Sequence, residues 1–285
     1  MKKKFEGPLL VLPAVLLIAS IMIIPLFYTV YCSLSNIDYM MFTGFAGLNN
    51  YIKILGDPAI YRSLLLTLFI TLVSVIISMV LGTLLAVWAD GQRPFFAYII
   101  ELVGLVPWVT SMVVAALLWK WIMDGDMGLL NYIFNLFGFD SVHILSGEKS
   151  AVIATIFVIS WRTVGYSMVM ILAGLKGIPD NLIEAASVDG ANGWQTFWRI
   201  KVPMIKTPVL ISSIVLTMSN FNNVTIPMVF TGGGPGEATN VISLALYKMG
   251  FNYYQFGPAS ALSVMVFVIN IVFVIIYVKA VKYEI

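Results

Sequence analysis

The sequence predicts an all-α polytopic membrane protein with about six transmembrane helices. Of its 285 residues, 60% are hydrophobic and 11% are charged, where soluble domains carry about a quarter charged residues. Apolar runs of roughly 20 residues, enough to cross a bilayer core, recur between short polar stretches. A chain of this composition cannot clothe a water-facing surface of its own.

The elements follow in order. Met1-Lys2-Lys3-Lys4 precedes an apolar run, Leu9 to Tyr31, longer than a signal-peptide core and without a small-x-small cleavage site after it. It predicts a first span, broken or bent by Pro13 and Pro25. Residues 36–62 read as a polar loop containing Asp38, Asp57 and Pro58. A second span runs from Ser63 to Ala89 and ends in the turn Asp90-Gly91-Gln92-Arg93-Pro94. The third, Phe95 to Met123, is interrupted by Pro107, and residues 124–149 form a Gly- and aromatic-rich loop, partly helical near the surface. The fourth is Ser150 to Leu175. A polar island, residues 176–206, separates it from the fifth span, Thr207 to Phe230, whose Pro208 sits in the first turn where its missing N–H costs nothing. Thr231 to Glu237 is too rich in glycine for a helix. The sixth span is Gly257 to Val278.

Charge placement orients the chain. With the N-terminus inside, the cytoplasmic side carries Lys2, Lys3, Lys4, Arg93, Lys176, Arg199, Lys201, Lys206, Lys279 and Lys282. The other side carries Lys53, Arg62, Lys120, Lys149 and Lys248. The excess satisfies the positive-inside rule and places both termini and the island in the cytoplasm. A net charge of +2 gives no argument for nucleic acid. Cys32 and His143, each the sole residue of its kind, argue against a disulfide or a Cys/His metal site. No segment matches a P-loop, so nucleotide hydrolysis by that route is excluded.

The island has the local chemistry of a short helix pair. Pro179-Asp180-Asn181 suits a helix start, with acid near the positive end of the dipole. Leu182, Ile183, Ala185, Ala186 and Val188 continue it with small residues on one side, and Gly190 supplies a left-handed stop. Trp194 to Ile200 is amphipathic and ends at Pro203. On periodicity alone, an interfacial link between two spans explains it as well as a functional helix does.

The pattern E-A-A, three residues, G, nine residues, I-x-hydrophobic-P is carried by Glu184, Ala185, Ala186, Gly190, Ile200, Val202 and Pro203. It resembles the EAA loop of permease subunits of binding-protein-dependent ABC importers, the MetI-like/MalFG family. Val202 stands where that family more often has Leu. Gly47-Leu48-Asn49-Asn50-Tyr51 with Asp57-Pro58 is similar to the first outer loop of the carbohydrate-uptake branch. Gly128-Leu129-Leu130-Asn131 and Thr231-Gly232-Gly233-Gly234-Pro235 resemble further motifs, the latter of MalF-like chains. Leu66 departs from an expected Asn.

The resemblance implies a type I importer permease fold and a specific set of partners. These are a second, MalG-like permease, two ATPase subunits carrying ATP and Mg, an extracytoplasmic solute-binding protein and a carbohydrate substrate. It implies that Glu184, Ala185, Ala186, Asp189 and Gly190 couple to the ATPase, in a bacterial inner membrane, with no cofactor on this chain and no catalysis by it. The corresponding division is an N-terminal helix and outer loop, 1–62, a permease core, 63–279, containing the loop 176–206, and a tail, 280–285.

Candidate substrate-path residues come from polar faces on membrane helices. Ser213, Thr217, Asn220 and Asn223 fall on one face of the fifth span with Pro227, and Thr155, Arg162 and Tyr166 share a face of the fourth beside Trp161. Such stripes serve either as interhelical glue or as the wall of a wet cavity. Glu101, inside the third span, is expected to pair with a basic residue of a neighbouring helix. The competing classes are a self-sufficient secondary transporter or channel, for which no inverted repeat or paired intramembrane acids are apparent, a family member carrying a non-sugar solute, and a membrane hydrolase, which lacks a His or Asp cluster.

Overall fold

The computed structural model describes residues 6–38 and 41–280. Lys2, Lys3, Lys4 and Lys282, used above for orientation, lie outside the described residues. The chain divides into two compact units. One gathers the residues up to Tyr61 with Ala245–Phe273; the other holds Arg62–Leu244 and the residues from Val274 onward.

The first unit begins with α1 (Glu6–Ser33), which runs through Pro13 and Pro25 as one helix. The predicted polar loop after it is structured. It forms an antiparallel hairpin, β1 (Ser35–Asp38) with β2 (Met41–Phe45), then α2 (Asn49–Leu55). Asn50 holds this segment to the end of α1, donating both amide hydrogens, to the carbonyls of Ser33 and Ser35 at 2.9 Å each. The Tyr51 hydroxyl lies 2.7 Å from Ser33 Oγ. A buried carboxamide with both hydrogens used is a strong local clamp.

The second unit is built on α3 (Pro58–Asp90), from Arg62 onward, with α4 (Pro94–Val109), α5 (Met112–Ile122), α6 (Leu129–Leu136) and α7 (Glu148–Lys176). Beyond α7 come α8 (Asp180–Val188), α9 (Gly193–Thr196), a π-helical turn (Phe197–Lys201), α10 (Val202–Met204), α11 (Lys206–Phe221) and α12 (Thr225–Phe230). The chain then passes through α13 (Ile242–Tyr247) and a second π-helical turn (Lys248–Asn252) into α14 (Phe256–Ala280). Among the described residues four helices, α1, α3, α7 and α14, are long and apolar enough to cross a membrane, and two bent helix pairs bring the number to as many as six.

α7 is the centre of the second unit. Lipid is as apolar as leucine, so membrane helices associate through close packing and hydrogen bonds. Along α3 and α7, Ser78 Oγ lies 2.7 Å from Thr163 Oγ1, and Ser167 Oγ donates to the Ser78 carbonyl at 2.6 Å. α4 crosses α7 so closely that a Cβ on Gly165 would come within 1.8 Å of the Gly104 carbonyl oxygen. One apolar cluster, including Ile70, Ala116, Ile159, Ile226 and Phe230, joins α3, α5, α7 and α12. A second, including Ala86, Ala89, Met168, Leu172, Leu175, Ile178 and Ile205, lies where the polar island leaves α7 and enters α11.

Two spans differ from their sequence readings. The third breaks at Thr110–Ser111 rather than at Pro107, with α4 and α5 meeting at 93°. Pro107 removes one backbone donor near the end of α4, and both residues at the break are extended, with Thr110 Oγ1 donating back to the Val106 carbonyl at 2.7 Å. The predicted fifth span, Thr207 to Phe230, is two helices, because α11 ends at Phe221 and α12 restarts at Thr225. Asn222 Nδ2 donates to the Met218 carbonyl and Asn223 Oδ1 accepts from the Ile226 N–H. Short amide side chains compete in this way with the helical ladder.

Candidate functional site

The island forms an exposed projection clamped at its two ends. Ile178 is 6% exposed and Ile205 2%, and no residue between them is buried. Glu184, Ala185, Asp189 and Gly190 are exposed and Ala186 is half-buried. Val188 and Trp194 show 87% and 71% of their surface, which places apolar contact area beside Glu184.

The local geometry is firmly specified. The Ala191 N–H reaches the Ala186 carbonyl at 2.9 Å and the Gly190 N–H the Ser187 carbonyl at 3.1 Å, the two bonds of a Schellman ending. It requires a left-handed residue, and Gly190 has φ +80°. One residue after Ala191, Asn192 accepts from the Gln195 N–H at 2.9 Å while Gln195 Oε1 accepts from the Asn192 N–H at 3.0 Å. This capping box starts α9. The turn between α8 and α9 is therefore pinned on both sides.

One ion pair ties the projection to α3, and a second joins α7 to α4 just before the projection begins. Lys201, in the π-helical turn, places Nζ 2.5 Å from Asp90 Oδ2 at the end of α3, and Lys176, closing α7, places Nζ 2.5 Å from Glu101 Oε1 on α4. Lys176 is thus the partner expected for Glu101. Asp90 and Lys201 carried no signal of pairing in sequence, being 111 residues apart.

The substrate-path candidates do not form one cluster. Arg162, 8% exposed, donates from Nη2 to the Trp108 carbonyl at 3.3 Å, and its guanidinium stands 5.0 Å from the Trp108 ring centroid. Tyr166 packs on the same indole, with ring centroids 4.6 Å apart. Trp108 is the organising residue that sequence reasoning missed; its place directly after Pro107 was the available signal. The third member of that face, Thr155, is fully buried and bonds back to the Ala151 carbonyl.

On α11, Thr217 Oγ1 lies 2.6 Å from the Tyr277 hydroxyl of α14, and Asn220, 5% exposed, leaves its Nδ2 without a partner. Asn223 lies beyond the end of α11 and serves the start of α12 while its carbonyl accepts from Ser243. Its predicted place on one helical face with Thr217 and Asn220 is corrected by the break at Phe221. An apolar cavity of about 500 Å³ opens between α3, α4 and α7, lined in part by Ile77, Leu81, Pro107, Phe157, Ser160 and Trp161. Ser160 Oγ is buried there without a partner.

Long apolar helices joined by an anchored polar loop are the architecture of a polytopic membrane protein. Residues 62–281 match the family described as binding-protein-dependent transport system inner membrane component. The chain belongs to that family and is a permease subunit of an ABC importer. It is 31% identical over 98% of its length to the trehalose/maltose transport system permease protein MalF of Thermococcus litoralis, covering 94% of that protein. It is also 31% identical to the sulfoquinovosyl glycerol transport system permease protein SmoG of Agrobacterium fabrum, covering 96% of this chain and 89% of that one. The fold superposes with a TM-score of 0.86, at 19% identity and with 98% and 96% of the chains covered, on a chain of a bacterial ABC transporter involved in the import of the acidic polysaccharide alginate.

Proposed function

We propose that this permease carries a carbohydrate into the cell, forming half of a translocation path with a second, MalG-like permease. Two separate ATPase subunits, holding ATP and Mg, drive it, and an extracytoplasmic solute-binding protein delivers the sugar. The membrane is the bacterial inner membrane and both termini face the cytoplasm, as the lysine and arginine distribution supports. The chain contributes no catalytic residue of its own.

The observation that carries this reading is the exposed α8 set between two buried anchors, Ile178 and Ile205. A helix with no buried residue is stable only when its neighbours fix it, and its free face is then available to a partner. Glu184, Ala185, Ala186, Asp189 and Gly190 are proposed to make that contact: small residues allow close approach, Glu184 offers a charge to a basic residue, and Gly190 gives the turn. A push on α8 passes through Lys201–Asp90 and Lys176–Glu101 into α3, α7 and α4, elements rigid enough to move as bodies. Arg162, Tyr166, Thr217, Asn220 and Asn223 are proposed to line or shape the sugar path. The names of the relatives, trehalose/maltose and sulfoquinovosyl glycerol permeases, support a sugar cargo.

The test is ATP-driven uptake of sugars into vesicles holding the complete transporter. Glu184→Lys should abolish uptake and weaken co-purification of the ATPase while membrane insertion stays intact. Uptake driven equally well by a proton gradient without ATP would overturn the reading.

A further inference from the structure

Within the first unit, the hairpin, α2 and the first turn of α14 enclose a polar cavity of about 330 Å³. It contains none of the path candidates. Asn36, Ile37, Thr43, Asn50, Lys53, Gln255 and Pro258 line it, and its volume falls in the ~300–1,000 Å³ range of small-molecule sites.

Its wall is built rather than incidental. Asn50 is 1% exposed, and both its amide hydrogens are committed to the Ser33 and Ser35 carbonyls. The polar capacity it retains for the cavity is its carboxamide oxygen, an acceptor whose orientation those two bonds fix. Thr43 gives its hydroxyl hydrogen to the Asn36 carbonyl at 3.1 Å, which leaves its lone pairs. Lys53 brings three donors and has no acidic partner among the described side chains. Gly257 lets the start of α14 lie against this wall, since a Cβ there would come 2.6 Å from the Ser35 carbonyl and 3.0 Å from Asn50 Nδ2.

These groups discriminate between ligand classes. A carboxylate or phosphate satisfies Lys53 but faces the fixed oxygen of Asn50. A cation meets Lys53. An apolar group strands both, at the cost of leaving buried polar groups unpaired. A hydroxyl donates to Asn50 and accepts from Lys53, the amides of Asn36 and Gln255 serve a neighbouring hydroxyl either way, and Pro258 offers an apolar facet to a C–H face.

We propose that this cavity is a second solute site, taking one unit of a polyhydroxylated ligand such as a monosaccharide residue, separate from the path between the membrane helices. It rests on the carbohydrate cargo proposed above. The complete transporter in nanodiscs, titrated with glucose, maltose and trehalose and followed by saturation-transfer NMR, tests it. At least one of these sugars should bind saturably. The double variant Lys53→Ala/Gln255→Ala, at exposed positions that bear no part of the fold, should weaken that binding at least tenfold. Filling the cavity mouth with Pro258→Trp should do the same. Absence of saturable binding by all three sugars, or binding unmoved by the double variant, overturns the site. ATP-driven uptake of the same sugars separates the two readings. Lys53-dependent binding without uptake sinks the cargo and leaves the cavity standing, and uptake without Lys53-dependent binding does the reverse.

Discussion

Lys201 Nζ and Asp90 Oδ2 lie 2.5 Å apart, with 22% and 19% of the two side chains exposed, and join the π-helical turn of the loop to the last residue of α3. The companion pair, Lys176 and Glu101, is wetter, at 53% and 28%. Exposed ion pairs contribute about 0–1 kcal/mol, so the more shielded Lys201–Asp90 pair is the stronger strut. Lys201–Asp90 therefore ties the loop to α3, and Lys176–Glu101 ties α7 to α4 where the loop begins.

Asp90→Asn or Lys201→Met should lower ATP-driven uptake severalfold while leaving ATPase binding unchanged, because each breaks transmission and spares the α8 face. The charge-reversed double variant Asp90→Lys/Lys201→Asp should recover a large part of the loss. Uptake assays on the four proteins, with ATPase co-purification as the control, check this; wild-type uptake in both singles would remove the strut from the account.

Gly190→Val is expected to uncouple the loop. A Cβ at Gly190 meets nothing within 4 Å, so the cost is backbone alone, roughly 1–2 kcal/mol for an L-residue in the left-handed region and more for a β-branched one. The Schellman turn reopens and α8 loses its aim. Gly190→Asn, tolerated in that region, should retain most activity. Uptake and co-purification distinguish the pair, and equal behaviour of the two variants would contradict the argument.

Arg162→Lys should reduce apparent sugar affinity on the order of tenfold, since lysine forfeits the guanidinium contact with the Trp108 ring and the Nη2 bond to the Trp108 carbonyl. Trp108→Leu should reproduce the defect. Initial uptake rates against sugar concentration give KM for both, and unchanged KM in both would take this cluster out of the sugar path.

Gly165→Ala tests the packing of α4 on α7. The added methyl sits within 1.8 Å of the Gly104 carbonyl oxygen, and overpacking of this kind costs about 1–3 kcal/mol. A lowered thermal midpoint in detergent is expected. An unaltered midpoint would show that the two helices separate freely there.

The membrane class, the long unbroken spans and the island were legible in the sequence because apolar run length reports directly on bilayer thickness. Gly190 was legible for a related reason: a glycine after a short helix has few other uses. Asn223 misled because a helical wheel assumes a continuous helix, and the side chains of Asn222 and Asn223 are what end it. The hairpin after Ser35 was hidden by its brevity and by the mixed polarity of 35–45, which shows no clean alternation. Asp90 poses another difficulty: its partner Lys201 is 111 residues away, and no local pattern announces a contact of that range.

The central claim is that α8 is the surface on which a separate ATPase acts. Cys32 is buried at 6% exposure, so a cysteine introduced at Val188, 87% exposed, is the reactive thiol of choice. Labelling Val188→Cys with a maleimide-linked benzophenone and irradiating the intact transporter, followed by mass identification of the adduct, tests the claim most directly. A covalent adduct with the ATPase subunit, lost when Glu184→Lys is added, is the predicted result. No ATPase adduct, together with labelling by a membrane-impermeant reagent from the outer face, would contradict it.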